Sequence, residues 1–374
     1  MSQFRNGLVF SFVLAFSPVL ISAQAVVATI PTGSHPQTIG ANPVTNRIYT
    51  VDEPASQITE IDGTTGTATV IPLGPTSQNS LDAAIGINPL TSKLYVVNVD
   101  DNNVAIIDGA TRAVSFVSVG MHPTAVAVNP MSNKVYILNT DGGTVTVLDG
   151  ATNITQTGAV GLAPLGVGID FSSNKIYVAN SNSNTVTIIN GKTLRTQTVA
   201  VGGYPARVAV NSATHKAYIA NLIGDSISVI NSSNQTTTIP LGFYPGPLSV
   251  NQTTNKVYVL NVATPEVTVI SGTTNALSTV AVGGVPSALA VDEIRNRVYV
   301  GCAAGGVDGM ISVINGATNG VTTISNFGNL PFRLVVNPMS NQIYSANLSN
   351  GNVTVIDGAS SALPLTFLDL ILPH

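Results

Sequence analysis

The 374-residue sequence predicts an all-β chain folded as an eight-bladed β-propeller of four-stranded antiparallel blades. Three observations carry that expectation. Eight tyrosines (Tyr49, Tyr95, Tyr136, Tyr177, Tyr218, Tyr258, Tyr299 and Tyr344) recur 40 to 46 residues apart in one local frame. Seven residues before each stands Asn or Asp, two before stands a base in seven cases, and three after stands Asn in six. Each unit also divides into four short runs rich in Val, Ile, Thr and Tyr between turn residues, and no helical stripe interrupts them. A seven-bladed ring with one unit excluded is the rival arrangement.

Taken in chain order, the first 25 residues read as an export signal rather than structure. Arg5 begins a short positive region, Leu8 to Ile21 is apolar, and Ala23-Gln24-Ala25 has the small-x-small form of a cleavage site. The apolar run is shorter than the roughly 20 residues that span a bilayer, so we expect cleavage after Ala25. Residues 26–374 are then one propeller domain, secreted or periplasmic, monomeric and without stable membrane insertion. Within it, residues 26–33 (VVATIPTG) match the fourth-strand segment TTTIPLG that ends at Gly242, and are expected to close the ring on residues 353–357 of the last blade. Residues 363–372 lie in register for the same place, as a tail or extra strand.

The unit 122–161 shows the strand pattern: AVAV, KVYILN, TVTVLDG and TQTGAV. Unbroken apolar runs fit strands buried on both faces between neighbouring blades. The Asp-Gly or Asn-Gly after the third strand (Asp62-Gly63, Asp149-Gly150 and four more) fits a turn needing positive φ or a side-chain bond to the backbone. The tyrosine ladder reads as packing between blades, each hydroxyl requiring a partner. The motifs KLYVVN, KIYVAN, KVYVLN and RVYVGC, each followed by a VTVID-like strand, resemble the YVTN family of β-propeller repeats over roughly residues 26–360. That family includes surface-layer and periplasmic propellers of mixed role, so the resemblance implies the fold and no particular activity.

Composition narrows the function. Only 9% of residues are charged, and 14 Lys plus Arg against 18 Asp plus Glu leave a net charge of −4, which offers no basic surface for nucleic acid. The single Cys302 cannot form an internal disulfide or a thiolate metal site, Trp is absent, and no cofactor is expected. Cys302 reads as a half-buried, inert residue. Asp100-Asp101-Asn102-Asn103 reads as a solvated turn rather than a calcium loop.

Propeller topology puts the loops before strand one and between strands two and three on one rim, the upper face. Departures from the repeat collect there: His35, Asp82, His122, Tyr204, Arg207, Tyr244 and Arg333, with insertions at 75–79 and within 303–310. These seven residues are the candidate ligand-binding set, for a protein, glycan or small ligand, with no catalytic or metal residues assigned. The competing local reading packs each His or Tyr ring on the Pro that follows it. The alternative function is a metal-assisted hydrolase or lyase using His35, His122 and Asp82. On the lower face the seven bases Arg47, Lys93, Lys134, Lys175, Lys216, Lys256 and Arg297 form either a basic ring or local pairs with third-strand acids.

Overall fold

The computed structural model describes residues 24–52, 56–74, 84–303, 309–325 and 331–358. It contains eight separate four-stranded antiparallel sheets, one per sequence unit, so the seven-bladed alternative is excluded. Helix among the described residues is limited to two three-residue 3-10 turns, Ser181–Ser183 and Leu348–Asn350. Blades 1 to 8 follow chain order, and first strands of neighbouring blades touch all the way round, blade 8 to blade 1 included. The first strands therefore ring the axis. The fourth place in blade 8 is taken by Ala25–Pro31, which pairs antiparallel with Asn352–Asp357 from Ala25↔Asp357 to Pro31↔Asn352. Residues 363–372 lie outside the described residues.

The apolar core is divided among the seams. At the seam of blades 1 and 2, Tyr49, Val51 and Ile58 meet Leu94, Val96 and Ile107. At the closing seam Ile30, Ile39, Ile48 and Ile61 meet Tyr344, Val353 and Val355. Residues of one strand alternate between the two seams beside it, which is why strands buried on both faces read as apolar runs. All eight ladder tyrosines lie in second strands and are buried, each toward the following blade.

Their hydroxyls depart from expectation. Tyr344 donates to Gln342 at 2.6 Å, and Tyr299 accepts from Gln24 at 3.1 Å. Those of Tyr95, Tyr136, Tyr177, Tyr218 and Tyr258 are buried without a protein partner. Desolvation pushes Tyr95, Tyr136, Tyr177 and Tyr218 up to about 12. The third strand alongside offers a polar group only in blade 1, where Tyr49 faces Glu60; Tyr136 faces Val147, Tyr218 faces Val229 and Tyr344 faces Val355, and the partners of Tyr299 and Tyr344 come from other segments.

A polar belt near the lower face joins the blades. The Asn seven residues before the tyrosine accepts nearby backbone amides on Oδ1, and its Nδ2 crosses to the next blade. Asn88 reaches Asn133 at 2.8 Å, Asn129 reaches Asn174 at 2.9 Å, and Asn337 of blade 8 reaches Asn46 of blade 1 at 2.6 Å. Each receiving position has φ between 50° and 55°, a left-handed conformation that Asn tolerates better than most residues. Between blades 4 and 5 the pair becomes Asp170 and His215, with Nδ1 2.8 Å from Oδ2. The two departures from the repeat thus meet in space.

The Asp-Gly turns require a correction. Asp62, Asp108 and Asp149 do accept amides two and three residues on, as expected of such a turn. Yet Gly63, Gly109, Gly150, Gly191, Gly316 and Gly358 do not have positive φ. A Cβ on Gly150 would lie 2.5 Å from Asn133 Oδ1 and 2.8 Å from the Tyr95 hydroxyl. Close approach, not backbone conformation, selects glycine there.

Three residues after the tyrosine, Asn bridges the second and third strands. Asn139 donates to Thr144 and Thr146, both at 2.9 Å, and Asn180 to Thr185 at 3.1 Å and Thr187 at 3.0 Å. Blade 1 has Asp52 instead, fully buried, with Thr59 donating at 2.5 Å. Burial pushes its carboxyl up from the usual carboxylate range, against the hydrogen bonds that oppose the shift. A raised folded-state pKa favours folding below the unfolded value, and that contribution is lost as pH rises through the folded value. Asp52→Asn restores the repeat, and we expect it to raise the melting temperature by about 1–2 °C near pH 7. Melts of variant and parent near pH 3.5 should differ less, because the proton already neutralises Asp52 there. An equal gain at both values would assign the effect to shape rather than charge.

Candidate ligand-binding site

The loop entering a first strand ends at a Pro that is buried in every blade where the residue is described, such as Pro36, Pro123, Pro205 and Pro331. A β-bulge follows it, between Pro123 and Ala125 in blade 3 and between Pro205 and Arg207 in blade 5. The residue before the Pro is left-handed in blades 3, 4 and 5, with φ 54° at His122, 50° at Ala163 and 53° at Tyr204. Its amide is held by the preceding blade: His122 N donates to Asn102 Oδ1 at 2.7 Å and Tyr204 N to Asn184 Oδ1 at 2.8 Å. Because Ala163 shares the conformation, it belongs to the repeat and not to a special site. It nonetheless fixes the rim backbone on which the candidate side chains stand.

His35, His122, Arg207 and Tyr244 are exposed, and Tyr204 is half-buried. They are dealt round the ring: His35 in blade 1, His122 in blade 3, Tyr204 and Arg207 in blade 5, Tyr244 in blade 6 and Arg333 in blade 8. Asp82 lies outside the described residues, as does the whole 75–79 insertion. No hydrogen bond or ion pair joins any two of the candidates among the described residues. Among the described residues the nearest carboxylate to His122 is Asp141, 3.9 Å from Nδ1, with both side chains about half exposed or more (46% and 60%). Among the described residues no group of three or more His, Cys, Asp or Glu is placed to hold a metal ion.

The two arginines differ. Both follow the bulge on the innermost strand, at equivalent positions of blades 5 and 8. Arg333 folds over Phe332, its guanidinium carbon 4.3 Å from the ring centroid and Nη1 3.2 Å from the Phe332 carbonyl. Arg207 has no such tether, and its backbone abuts Gly166 of the neighbouring blade, where a Cβ would lie 2.6 Å from the Ala206 carbonyl. Only glycine admits so close an approach, which holds Arg207 at the narrow inner end of the seam.

The lower face contrasts with this. Lys93 donates to the Gly150 carbonyl at 2.7 Å, Lys175 to Ser232 at 2.8 Å, Lys216 to Gly272 at 2.6 Å and Lys256 to Gly316 at 2.5 Å, each in the next blade. Lys134 and Arg297 act likewise on Gly191 and Gly358, and Arg47 pairs with Asp62 at 2.6 Å. The seven bases are therefore staples between or within blades, and neither a free basic ring nor, Arg47 excepted, pairs with third-strand acids. Cys302 is fully buried, not half-buried, with its thiol pushed up by burial and Sγ 3.8 Å from Ser312 Oγ. Asn usually holds this position, as Asn221 does beside Ser228 in blade 5.

Solved structures share this architecture. Hydrazine synthase of Kuenenia stuttgartiensis aligns at 19% identity over 75% of this chain and 96% of its own, with a TM-score of 0.58. Virginiamycin B lyase from Staphylococcus aureus aligns at 10% identity over 74% and 94% of the two chains, TM-score 0.59. A streptogramin B lyase aligns at 12% over 76% and 95%, TM-score 0.59. What they share is the propeller fold. No protein-family model matches the chain, and no curated protein matches it by sequence. No helix among the described residues is long and apolar enough to cross a membrane.

Proposed function

We propose that the protein is an exported, non-catalytic propeller of YVTN type whose upper face binds a protein, glycan or small ligand. The observation that carries this reading is the inequality of the two faces. Lower-face cations are committed to carbonyls of the next blade, while His35, His122, Arg207 and Tyr244 stand exposed above, on a rim whose amides at His122 and Tyr204 are tied to the preceding blade. A rigid rim presenting aromatic rings and an untethered guanidinium suits an anionic or sugar-bearing ligand better than a metal. Export is supported by the composition of residues 1–25. It is compatible with closure, since cleavage after Ala25 would leave Val26–Pro31 paired.

A screen of glycans and acidic peptides by shift of the melting temperature identifies a ligand. The Arg207→Ala, Arg333→Ala double variant is then expected to bind it at least tenfold more weakly, about 1.4 kcal/mol, with an unchanged melting curve. Unchanged affinity would remove the rim from consideration. Metal analysis of the purified protein tests the hydrolase or lyase alternative: one tightly held zinc per chain, lost on His122→Ala, would favour it and would require Asp82 to join His35 and His122.

A further inference from the structure

The closing seam lacks its staple, as does the seam of blades 1 and 2, where Arg47 turns to Asp62 within its own blade. At six seams the base opening a blade's second strand crosses to a carbonyl just after the next blade's third strand, as Lys93 does to Gly150 and Lys216 to Gly272. In blade 8 that position is Gln342, which is shorter than Lys and turns back to accept the Tyr344 hydroxyl at 2.6 Å. The carbonyl it would have met by register is Gly63 of blade 1. Between them lies a cavity of about 170 Å³, lined on its polar side by Asp62, Gly63, Thr64 and Gln342 and on its apolar side by Ile30 and Val355. At roughly 30 Å³ for each water-sized group, that is room for on the order of five non-hydrogen atoms. A lysine side chain has that many beyond Cα.

We infer that this cavity is a binding site for a primary alkylammonium group, carried by a small amine or by a lysine side chain of a protein partner. Five of the six stapled seams, those with Lys93, Lys134, Lys175, Lys216 and Lys256, are internal copies of the occupied state: a methylene arm along the seam's apolar wall and an ammonium donating to the carbonyl after the third strand. Asp62 adds negative charge beside that carbonyl, although Arg47 already holds its Oδ2 and the amides of Thr64 and Thr65 hold its Oδ1. The Gly63 carbonyl is thus the principal acceptor. Residues 359–374 contain neither Lys nor Arg, so no lysine or arginine of that segment supplies the cation. An occupant would touch the closing strand at Ile30 and blade 1 at Gly63 together, and so stabilises the closed ring by mass action.

The test is the melting temperature of the full-length protein with n-butylammonium chloride, n-butanol or tetramethylammonium chloride. At ten times its Kd, n-butylammonium is expected to raise the melting temperature by about 3 °C, and the other two to leave it unchanged. Gln342→Lys should melt higher than the parent and lose the butylammonium shift. Gln342→Met fills the same space without charge and should also lose it, so either variant decides the matter if the other does not fold. A shift of equal size with butanol, a shift persisting in the filled variants, or no shift with any amine overturns the site. A blocked Gly-Lys-Gly peptide compared with n-butylammonium separates the sources. A larger shift with the peptide assigns a protein lysine, a larger shift with the free amine assigns small amines, and no shift with either overturns the proposal.

Discussion

Removal of residues 25–31 is expected to lower the melting temperature by on the order of 10 °C and to make the protein prone to aggregate. The segment forms the outer strand of blade 8, paired along Asn352–Asp357, and places Ile30 in the closing seam with Tyr344 and Val353. Half a dozen ladder bonds at about 0.5–1.5 kcal/mol each and one buried isoleucine at about 1.5–3 kcal/mol give roughly 5 kcal/mol or more. In a chain of this size each kcal/mol moves the midpoint by about 2 °C. The deletion also turns Asn352–Asp357 into an unprotected edge, a template for pairing between molecules. Thermal melts and light scattering of the truncated and parent proteins measure both effects. An unchanged curve would mean that another segment, of which 363–372 is the sequence candidate, fills the place.

Truncating a ladder tyrosine is the second large effect. Tyr218 is fully buried between blades 5 and 6 against Ile227, Val257 and Val259, so Tyr218→Ala should cost about 3–5 kcal/mol, the range for a large aromatic removed from a packed core. Tyr218→Phe should be neutral or stabilising, because its hydroxyl is buried without a protein partner. Tyr344→Phe serves as the contrast, since it breaks the bond to Gln342 and should cost about 1 kcal/mol. Urea unfolding of the three variants reads these differences directly. The same burial sets an alkaline limit. With folded-state values near 12 against an ordinary 10, the contribution of Tyr95, Tyr136, Tyr177 and Tyr218 is intact below pH 10 and declines as pH rises from there toward 12. Ultraviolet titration should show them ionising only as the protein unfolds.

The candidate rim reads from the sequence as a set of departures from a repeat, and His35, His122, Arg207 and Tyr244 of that set are exposed. Its internal differences were not legible. Arg207 and Arg333 occupy equivalent register positions, yet Arg333 is tied to Phe332, where blade 5 has Ala206. The Asp170 and His215 substitutions stand at positions that are Asn in most other blades and form one bond. Pairing the departures in adjacent units would have found it. The lower bases misled in the opposite way, because a base near an acid in sequence looks paired, while the true acceptor is a backbone carbonyl that no sequence pattern marks.

The sequence by itself determined the blade count, the strand pattern and the buried tyrosines. Each is a local signal, repeated eight times, of apolar alternation and turn chemistry that a strand must satisfy wherever it lies. Tertiary structure alone decided why glycine follows the third-strand Asp, where the lysines point and that the closing seam holds a cavity. Those features depend on groups such as Lys93 and the Gly150 carbonyl, 57 residues apart, which meet only once the ring is assembled. A single blade cannot bury its own two faces, so the contacts that hold the protein together belong to the seams between repeats.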